Sequence, residues 1–515
     1  MTAIVSAQLI VGMEVHVELA TRTKVFTRSG NPASDEFASA EPNTLTDPVV
    51  LGLPGTLPVL NRQAVESAML VGLALGCDVD GPTHWDRKSY LYPDLPKGYQ
   101  ISQYDCALCR HGMAEVFPED ARGKVDLSGK KFIRINRAHL EEDAGKLLHE
   151  APGGGPIDFS IIDFNRAGTP LLEIVTEPDF RTVDEVVGFA RQLRLLCRHL
   201  EVSRCVMEQG QIRFEPNINM HLTLGDGREV FTPIVEIKNL NSFRALRGAI
   251  EYEAKSQPER WRRDGFEHAP GAKTTRGWDP EKNRTVVQRT KEDAHDYRYF
   301  PEPDLPPVFV DETWEASVRT RLIETPMDRL VRWIVSFGLD VAGAWALLEE
   351  HEACAFFELC VEAACDREIS LEDAGSLVGT LLMQVGARLG NERRCRVDQL
   401  GISSDQVADL VQLRHKGSIS AQAGARIFEM LCDDAESESD PYALAEREGL
   451  LMIRDDATLD AWVNEVIEEN PAMVEQIRAG KVQAIGRLIG EVMKRSGGAA
   501  DAAEVRRRLI DRIGS

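Results

Sequence analysis

Residues 12–19 read GMEVHVEL, and this stretch predicts a β-strand with two unlike faces. Side chains of a strand alternate between its two faces. Glu14, His16 and Glu18 therefore lie on one face, and the apolar residues between them lie on the other. A strand at the protein surface would explain this pattern, and so would a strand whose polar face lines a functional site.

The sequence around this strand is mixed up to about residue 300. Short apolar runs such as VVLGLPGTLPVL (49–60) and TPLLEIVTE (169–177) are interrupted by glycine and proline, as is typical of strands between turns. Residues 61–76 and 182–200 have helical periodicity, and Thr182 followed by Glu185 fits a capping box. We predict an α+β, sheet-rich domain over residues 1–300.

A proline-rich joint, PEPDLPP at residues 301–307, separates this part from a helical remainder. Ser403 with Gln406 fits another capping box, and Pro471 after Asn470 is a favoured helix opening. We predict an all-α helical domain over residues 301–400 and a small helical tail domain over residues 401–515. The acidic stretch at 433–441 is predicted to be a linker.

Composition indicates a multidomain protein of the cytoplasm. The chain has 515 residues, 43% of them apolar, and its amino terminus has neither a basic start nor an apolar run long enough for a signal peptide or membrane anchor. Its ten cysteines are scattered along the sequence, and this pattern indicates reduced thiols rather than a disulfide framework. Cys106 and Cys109 could form half a zinc site, but no second pair follows, which favours buried thiols.

The net charge of −23 excludes a general nucleic-acid coat, because nonspecific affinity comes mainly from neutralising phosphates. Contact with RNA must therefore be local. Residues 478–515 hold nine basic and four acidic side chains, a balance of 9 − 4 = +5. On charge alone, a solvated helix face is the simpler interpretation of this segment.

Two further segments contain carboxylates that would be costly to bury without a cation or partner charges. RAHLEEDAGK (137–146) contains three consecutive acids, and Glu173 lies inside the apolar run PLLEIV. Carboxylates with one imidazole suit Mg²⁺ or Mn²⁺, so we predict a divalent metal held by His16, one or both of Glu141 and Glu142, and Glu173. A structural ion-pair network would satisfy the same carboxylates, through Arg134, Arg137, Lys146 and Arg166.

Residues 86–104 (DRKSYLYPDLPKGYQISQY) alternate basic and tyrosine side chains. Basic groups hold phosphates and tyrosines stack on bases, so we predict cofactor binding by Lys88, Tyr92, Lys97 and Tyr99. The alternative is a rigid loop that only packs. No GxxxxGK[ST] loop, GxGxxG motif or kinase signature occurs in the sequence, so an ATP site would need another design.

Several of these segments together resemble one family, the B subunits of bacterial tRNA-dependent amidotransferases. The resemblance runs along nearly the whole chain, and AIGRLIGEVMKRSGG is similar to the family's carboxy-terminal tRNA-contacting module. The other motifs that carry it are GMEVHVEL, LGLPGTLPVLN, YPDLPKGYQISQY, HLEEDAGK, DFNRAGTPLLEIVTEPD, VEIKNLNSF and AHDYRYFPEPDLPP.

The resemblance implies a cradle-shaped catalytic domain and a two-step reaction. ATP phosphorylates the side-chain carboxylate of glutamate on tRNA(Gln), or of aspartate on tRNA(Asn), and ammonia then displaces the phosphate. It also implies a heterotrimer, in which an amidase A subunit releases the ammonia from glutamine and a small C subunit clasps the two.

The resemblance places magnesium ligands on His16, Glu142 and Glu173, with Glu14 close by. With Glu141, these residues form the predicted metal set. Glu142 is also expected to be catalytic, and further contacts to the phosphate or the acyl end are expected from Lys146, Arg166 and Lys238.

The resemblance is weaker over residues 207–220, MEQGQIRFEPNINM, where the family usually reads close to MEEGSLRCDANVSV. Arg213 and Asn217 remain, but four positions depart: Gln209, Gln211, Phe214 and Pro216. Two alternatives follow. The chain could be a noncatalytic tRNA-binding scaffold of the same fold, or a metal-dependent enzyme that acts on a small molecule.

Overall fold

A computed structural model describes residues 3–151, 154–290, 297–433, 439–452, 456–478, 482–496 and 500–513. Most of the predicted linker at 433–441 lies outside the described residues. So do the first three residues of AHDYRYFPEP and the last two of the tail motif AIGRLIGEVMKRSGG.

The chain divides into two compact units, Met1–Pro326 and Met327–Ser515. The boundary predicted at residue 300 therefore lies inside the first unit. The reason is strand pairing: Phe300 and Pro301 pair with Arg87 and Asp86, and residues 308–310 pair with residues 81–83. The proline-rich joint belongs to the sheet-rich unit and does not end it.

One large sheet dominates the first unit. Its strand order is β14-β13-β12-β10-β1-β9-β6-β5, with β11 also paired to β10. All pairs are antiparallel except β12 with β13. The strands of the described residues are β1 (Ile4–Glu18), β2 (Gly81–Thr83), β3 (Asp86–Ser89), β4 (Tyr99–Ser102), β5 (Cys109–Val116), β6 (Lys131–Glu142), β7 (Lys146–Glu150), β8 (Pro156–Asp163), β9 (Pro170–Thr176), β10 (Ile212–Leu224), β11 (Glu229–Phe231), β12 (Val235–Lys238), β13 (Thr274–Asp279), β14 (Arg284–Thr290), β15 (Phe300–Pro301) and β16 (Val308–Val310).

Helices pack against the apolar face of this sheet and fill the second unit. The α-helices are α1 (Arg62–Ala74), α2 (Val183–His199), α3 (Phe243–Asp264), α4 (Glu312–Arg319), α5 (Pro326–Ser336), α6 (Val341–Leu348), α7 (His351–Cys365), α8 (Leu371–Leu381), α9 (Ala387–Arg393), α10 (Ser404–His415), α11 (Ala421–Asp433), α12 (Pro441–Arg447), α13 (Asp456–Glu469), α14 (Pro471–Arg478), α15 (Ile485–Arg495) and α16 (Ala502–Ile513). None of the described helices is both long enough and apolar enough to cross a lipid bilayer.

The first strand has the two faces that its sequence predicts. Val11, Met13, Val15 and Val17 are at most 1% exposed and share one hydrophobic cluster with buried residues of α1, α2 and α3. Because helices cover this apolar face, the polar residues between these positions lie together on the other face of the sheet. The predicted α+β class of this unit is confirmed.

Helix starts follow the predicted caps. The Thr182 side chain accepts from the backbone N–H of Glu185 in a complete capping box at α2, and Ser403 with Gln406 forms the other at α10. The Asn61 side chain caps α1, and α14 begins at Pro471 as predicted.

Within the second unit, helices on both sides of the predicted boundary at residue 401 pack together. Arg367, after α7, donates to the carboxylates of Asp405 and Asp409 on α10. A separate hydrophobic cluster begins only at Leu459 and runs to Ile513. The tail with its own core is therefore shorter than the 401–515 domain predicted from sequence.

Candidate active site

A row of ionisable side chains crosses four strands on the polar face of the sheet. His139 on β6 pairs with Glu173 on β9, Glu173 pairs with His16 on β1, and His16 pairs with Arg213 on β10. Residues that pair directly across a sheet point to the same face, with Cβ atoms about 5 Å apart. Strand register therefore brings together groups that are up to 197 positions apart (213 − 16) in the chain.

The distances in this row define a compact cluster. Nε2 of His16 and Nε2 of His139 each lie 3.5 Å from Oε2 of Glu173. Glu141 joins from the same face of β6, with Oε2 3.7 Å from Nε2 of His139. One ligand atom from each of His16, Glu141 and Glu173 lies within 4.8 Å of the other two.

Opposite charges offset burial in this cluster. Burial lowers the pKa of His16, but the hydrogen bond and charge of Glu173 outweigh it and raise the pKa. Burial raises the pKa of Glu173, yet His139 and His16 bring that pKa well below its ordinary value. The pKa of Glu141 is lowered for the same kind of reason, with burial opposed by His139 and Lys88.

This donor set fits a divalent cation. Two carboxylates and one imidazole supply the mostly oxygen coordination that Mg²⁺ or Mn²⁺ prefers. Nδ1 of His16 is buried and has no hydrogen-bond partner among the described residues. His139 is 3% exposed and lies beside both carboxylates, where it can hold their orientation.

Glu142 does not belong to this cluster, although it was predicted as a metal ligand. Neighbouring residues of a strand point to opposite faces, so Glu142 lies on the face opposite Glu141. Its carboxylate accepts from the backbone N–H of Ile101 at 2.9 Å and forms an ion pair with Lys97. Lys97 in turn lies 5.3 Å from the ring centre of Tyr99.

Glu14, which was also predicted as a metal ligand, lies outside the cluster of His16, Glu141 and Glu173. It belongs to a second carboxylate group with Glu215 and Glu236, next to the first on the same polar face. Lys238 neutralises part of this group, since its Nζ lies 2.6 Å from Glu215 and 3.7 Å from Glu236. Asn217 donates to Glu14 at 2.9 Å.

Lys88 is the predicted cofactor-binding residue whose charge acts on the cluster. Burial lowers the pKa of Lys88, but Glu141 and Glu173 raise it above its ordinary value. Its Nζ lies 5.2 Å from the ring centre of Tyr297. Tyr92, by contrast, is 57% exposed in the loop between β3 and β4.

A cavity of about 680 Å³ adjoins the cluster along β1 and β10. Its lining holds three basic side chains, Lys146, Arg166 and Arg213, and four acidic ones, of which Glu18 is buried; the others are Asp163, Glu208 and Glu215. Asp143 accepts from Arg213 at 2.8 Å and lies 3.7 Å from Arg166. Arg166 also donates to the carbonyls of Ala144 and Gly145, at 3.0 and 2.8 Å.

The pKa of Glu18 is raised. Burial and the neighbouring carboxylate of Asp143 raise the pKa of Glu18 to about 8, against the opposing charges of Arg166 and Arg213. One of its oxygens, Oε1, has no partner within the described part of the chain. The cavity therefore holds a buried carboxyl group whose pKa lies above its ordinary value.

The segment at 207–220, where the family resemblance is weaker, lines this cavity. Gln209, Gln211 and Phe214 are among its lining residues, together with the retained Arg213. Pro216 lies on β10 opposite Met13. Three of the four departing positions therefore border the cavity.

The predicted ion-pair network is present only in part. Arg134 pairs with Asp179 at 2.7 Å, and Arg137 donates to Nδ1 of His139 at 3.4 Å. In the regions described, neither guanidinium lies within ion-pair distance of Glu141 or Glu173. Those two carboxylates face histidines and Lys88.

Sequence reasoning missed several residues of this face. His139 precedes Glu141 by two positions, a spacing that places both on one side of a strand. Gln211, Arg213, Glu215 and Asn217 alternate with Ile212, Phe214, Pro216 and Ile218, and this alternation was an available signal. Nothing in the sequence indicates that Tyr299 stacks on Tyr104 at 4.4 Å between ring centres.

The fold and site together define a sheet-rich domain that carries the candidate active site, followed by a helical domain, and comparison with known families gives the same division. Residues 9–316 match the family model described as the GatB/GatE catalytic domain. Residues 366–513 match the model described as the GatB domain.

Curated relatives match nearly the whole chain. It is 42% identical to the B subunit of the aspartyl/glutamyl-tRNA(Asn/Gln) amidotransferase of Thermomicrobium roseum, over 98% of each chain. It is 40% identical to the protein of that name from Rhodopirellula baltica, over 98% of this chain and 96% of the relative. The chain therefore belongs to the GatB family.

Proposed function

We propose that this chain is the component of a tRNA-dependent amidotransferase that activates the side-chain carboxylate of a misacylated tRNA. ATP would phosphorylate the carboxylate of glutamate on tRNA(Gln), of aspartate on tRNA(Asn), or of both, and ammonia would replace the phosphate to leave an amide. This makes the protein a carbon–nitrogen ligase with glutamine as the amide donor. The family relatives support this reaction through their names.

The observation that carries the proposal is the cluster of His16, Glu141 and Glu173 beside a cavity lined by Lys146, Arg166 and Arg213. A divalent cation such as Mg²⁺, held by these three residues, would compensate the charge of phosphate oxygens. The same arrangement would be hard to explain in a binding scaffold, because burying such carboxylates costs stability.

The cavity residues bind and orient the acyl end. Arg213 is held in place by Asp143, and Arg166 is held by two backbone carbonyls. Guanidinium groups fixed in this way bind carboxylate and phosphate oxygens in defined directions. Lys146 lines the same cavity and adds a further positive charge.

The remaining expected residues act around this centre. Lys88 provides a positive charge near Glu141 and Glu173, where it would bind a phosphate of ATP. Lys97 and Tyr99 lie on the other side of the sheet with Glu142, and Tyr92 lies in an exposed loop. For these three, and for Lys238 beside Glu215, a role in ATP or acyl-tRNA binding stays a prediction.

The chain holds no activity of its own for releasing ammonia, on this proposal. An amidase A subunit would supply ammonia from glutamine, and a small C subunit would complete a heterotrimer in the cytoplasm. The reaction would therefore depend on both partners when glutamine is the donor, but on neither when ammonia is added directly.

Reconstitution tests this function. The chain is mixed with its A and C partners, ATP, Mg²⁺, glutamine and glutamate-charged tRNA(Gln), and glutaminyl-tRNA is measured. We expect the wild-type complex to form it, and Glu173→Gln to bind the tRNA equally well while forming less than about a hundredth as much, since the site binds charge that develops in phosphoryl transfer. Equal tRNA binding without product in the wild type would favour a scaffold. Aspartate-charged tRNA(Asn) in a parallel reaction identifies the substrate.

A further inference from the structure

A second and larger cavity, of about 950 Å³, lies at the start of α3. Four arginines line it, and we call it the arginine cleft after Arg122, Arg191, Arg244 and Arg247. Asn241, in the loop between β12 and α3, lines both this cleft and the active-site cavity. The two cavities are therefore adjacent, and Asn241 lies at the border of both.

The acidic groups of the cleft are satisfied by the protein itself. Glu119 pairs with Arg191 at 3.2 Å. Arg247 pairs at 2.5 Å with Asp184, which lies beside the cleft, and its Nη1 lies 3.9 Å from the carboxylate of Glu251 in the cleft wall. The carboxylate of Asp120 accepts backbone N–H groups of its own loop, at 2.8 and 2.9 Å. These contacts fix the inner wall, and two of the arginines compensate the charges of Glu119, Asp184 and Glu251.

Two arginines on the rim are left over. Arg122 and Arg244 are exposed, and neither forms an ion pair with any residue that the structure describes. Arg244 also lies in the first turn of the 22-residue helix α3, where free N–H groups and the helix dipole add positive character. The rim is thus a local cationic patch on a chain of net charge −23.

Aromatic side chains form another part of the wall. Phe243 and Trp278 line the cleft, and the ring of Trp278 packs closely on Gly248, where an added Cβ would lie 2.8 Å from its Cζ2 atom. The ring is therefore held at the cleft. Positive charges that follow a backbone, combined with aromatic faces for bases, are the features that bind single-stranded nucleic acid.

We infer that the arginine cleft binds the single-stranded 3′ end of the charged tRNA and leads it past Asn241 to the active-site cavity. The inference rests on the proposed function, which requires the acyl group at the 3′ terminus to reach that cavity. A duplex is a poorer fit, because duplex-binding domains span about 16 base pairs, whereas this cleft has the size of a small-ligand pocket.

Binding to two tRNAs tests the inference in the assembled heterotrimer. One is the full tRNA, and the other lacks its unpaired 3′ nucleotides. For Arg122→Gln/Arg244→Gln we expect the dissociation constant of the full tRNA to rise about tenfold, with a salt dependence reduced by about 0.7 per lost phosphate contact. The shortened tRNA should bind the variant and the wild type equally.

Arg262→Gln is the matched control, because Arg262 is an exposed arginine at the opposite end of the same helix. It should leave both dissociation constants unchanged. Equal weakening of both tRNAs by the double variant would mean that the arginines contact the duplex, and unchanged affinity for both would mean that they contact no RNA. Either result overturns the inference. The proposed function is judged separately, by whether the wild-type complex forms product.

Discussion

His139 sets the orientation of the two carboxylates at the centre of the site. Its Nε2 lies 3.5 Å from Glu173 and 3.7 Å from Glu141, and its other ring nitrogen accepts from Arg137. Because Arg137 holds its ring, His139 can fix the direction of the two carboxylates that we propose as ligands of the ion.

We expect His139→Leu to raise the Mg²⁺ concentration needed for half-maximal phosphorylation by about tenfold or more, the usual cost of losing a group that supports metal ligands. Mg²⁺ titration of ATP turnover in the reconstituted complex measures this. The tRNA dissociation constant serves as the control and should stay constant. An unchanged Mg²⁺ requirement would show that His139 does not support the ligands.

Lys24 gives the protein a distinctive dependence of stability on pH. It is fully buried, and its Nζ donates to the carbonyl of Leu45 at 2.6 Å. Burial lowers the pKa of Lys24 to about 7, despite the opposing charges of Asp47 and Glu142. In the unfolded chain, Lys24 has the ordinary pKa of about 10.4. Between about pH 7 and that value, the folded state therefore binds fewer protons than the unfolded state.

Stability should therefore rise as pH increases from about 7 toward 10. In Lys24→Met this contribution is absent, and we expect the rise in melting temperature across this range to be smaller than in the wild type. Differential scanning fluorimetry across this pH range makes the comparison. Parallel curves for the two proteins would contradict a depressed pKa.

At the level of single elements, strand β6 explains why Glu141 and not Glu142, although both were predicted as metal ligands, lies on the face with His16 and Glu173. Ile133 and Ile135 are buried on its apolar face, and so are Ala138 and Leu140. The residues on the apolar face of β6 change from odd-numbered to even-numbered positions, because the pairing of β6 with β9 shifts between Ile135 and Arg137. Such an irregularity reverses every later side chain, and no residue type in the sequence marks it.

Strand β1 was easier to predict, because its alternation continues without interruption from Leu9 to Leu19. The sequence shows which side chains share a face of one strand. It does not show which strands are neighbours. His16 and Glu173 were grouped from their residue types as metal ligands, but the position of Arg213 beside His16 follows only from the sheet register.

The capping box at the start of helix α2 was predicted correctly from the sequence, and its contribution to stability can be tested. The Thr182 side chain and Glu185 satisfy each other's backbone N–H groups. We expect Thr182→Ala to lower the free energy of unfolding by about 1 kcal/mol, the common cost of losing an N-cap. Urea denaturation measures it, and Thr182→Ser should retain most of the stability. Equal losses in both variants would mean that the hydroxyl does not cap the helix.

For the whole molecule, the sequence predicted the order of a sheet-rich part and a helical part but misplaced the divisions. Proline content indicated a joint at 301–307, yet residues at and just after this joint complete sheets of the first unit. Strand pairing across more than 200 positions of the chain is a tertiary interaction, and composition carries no record of it.

Residues 478–515, at the end of the helical tail, carry a charge of +5 on a chain whose net charge is −23. Within residues 478–515, Arg487, Lys494 and Arg506 are exposed, and the tail has a hydrophobic cluster of its own. We expect a chain that ends at residue 452 to bind tRNA at least about tenfold more weakly, since it loses several phosphate contacts. Its affinity for Mn²⁺ should match that of the full chain. Filter binding measures the first quantity, and full retention of tRNA affinity would assign RNA binding elsewhere.

The central claim is that one face of the sheet holds a divalent ion between His16, Glu141 and Glu173. Binding of Mn²⁺, followed by loss of the free-ion signal in electron paramagnetic resonance, tests it without requiring any reaction. Glu141→Gln and Glu142→Gln change adjacent residues of one strand that point to opposite faces. We expect Glu141→Gln to weaken Mn²⁺ binding by about tenfold or more and Glu142→Gln to leave it unchanged. The reverse order of effects, or equal affinity in both variants, would contradict the site described.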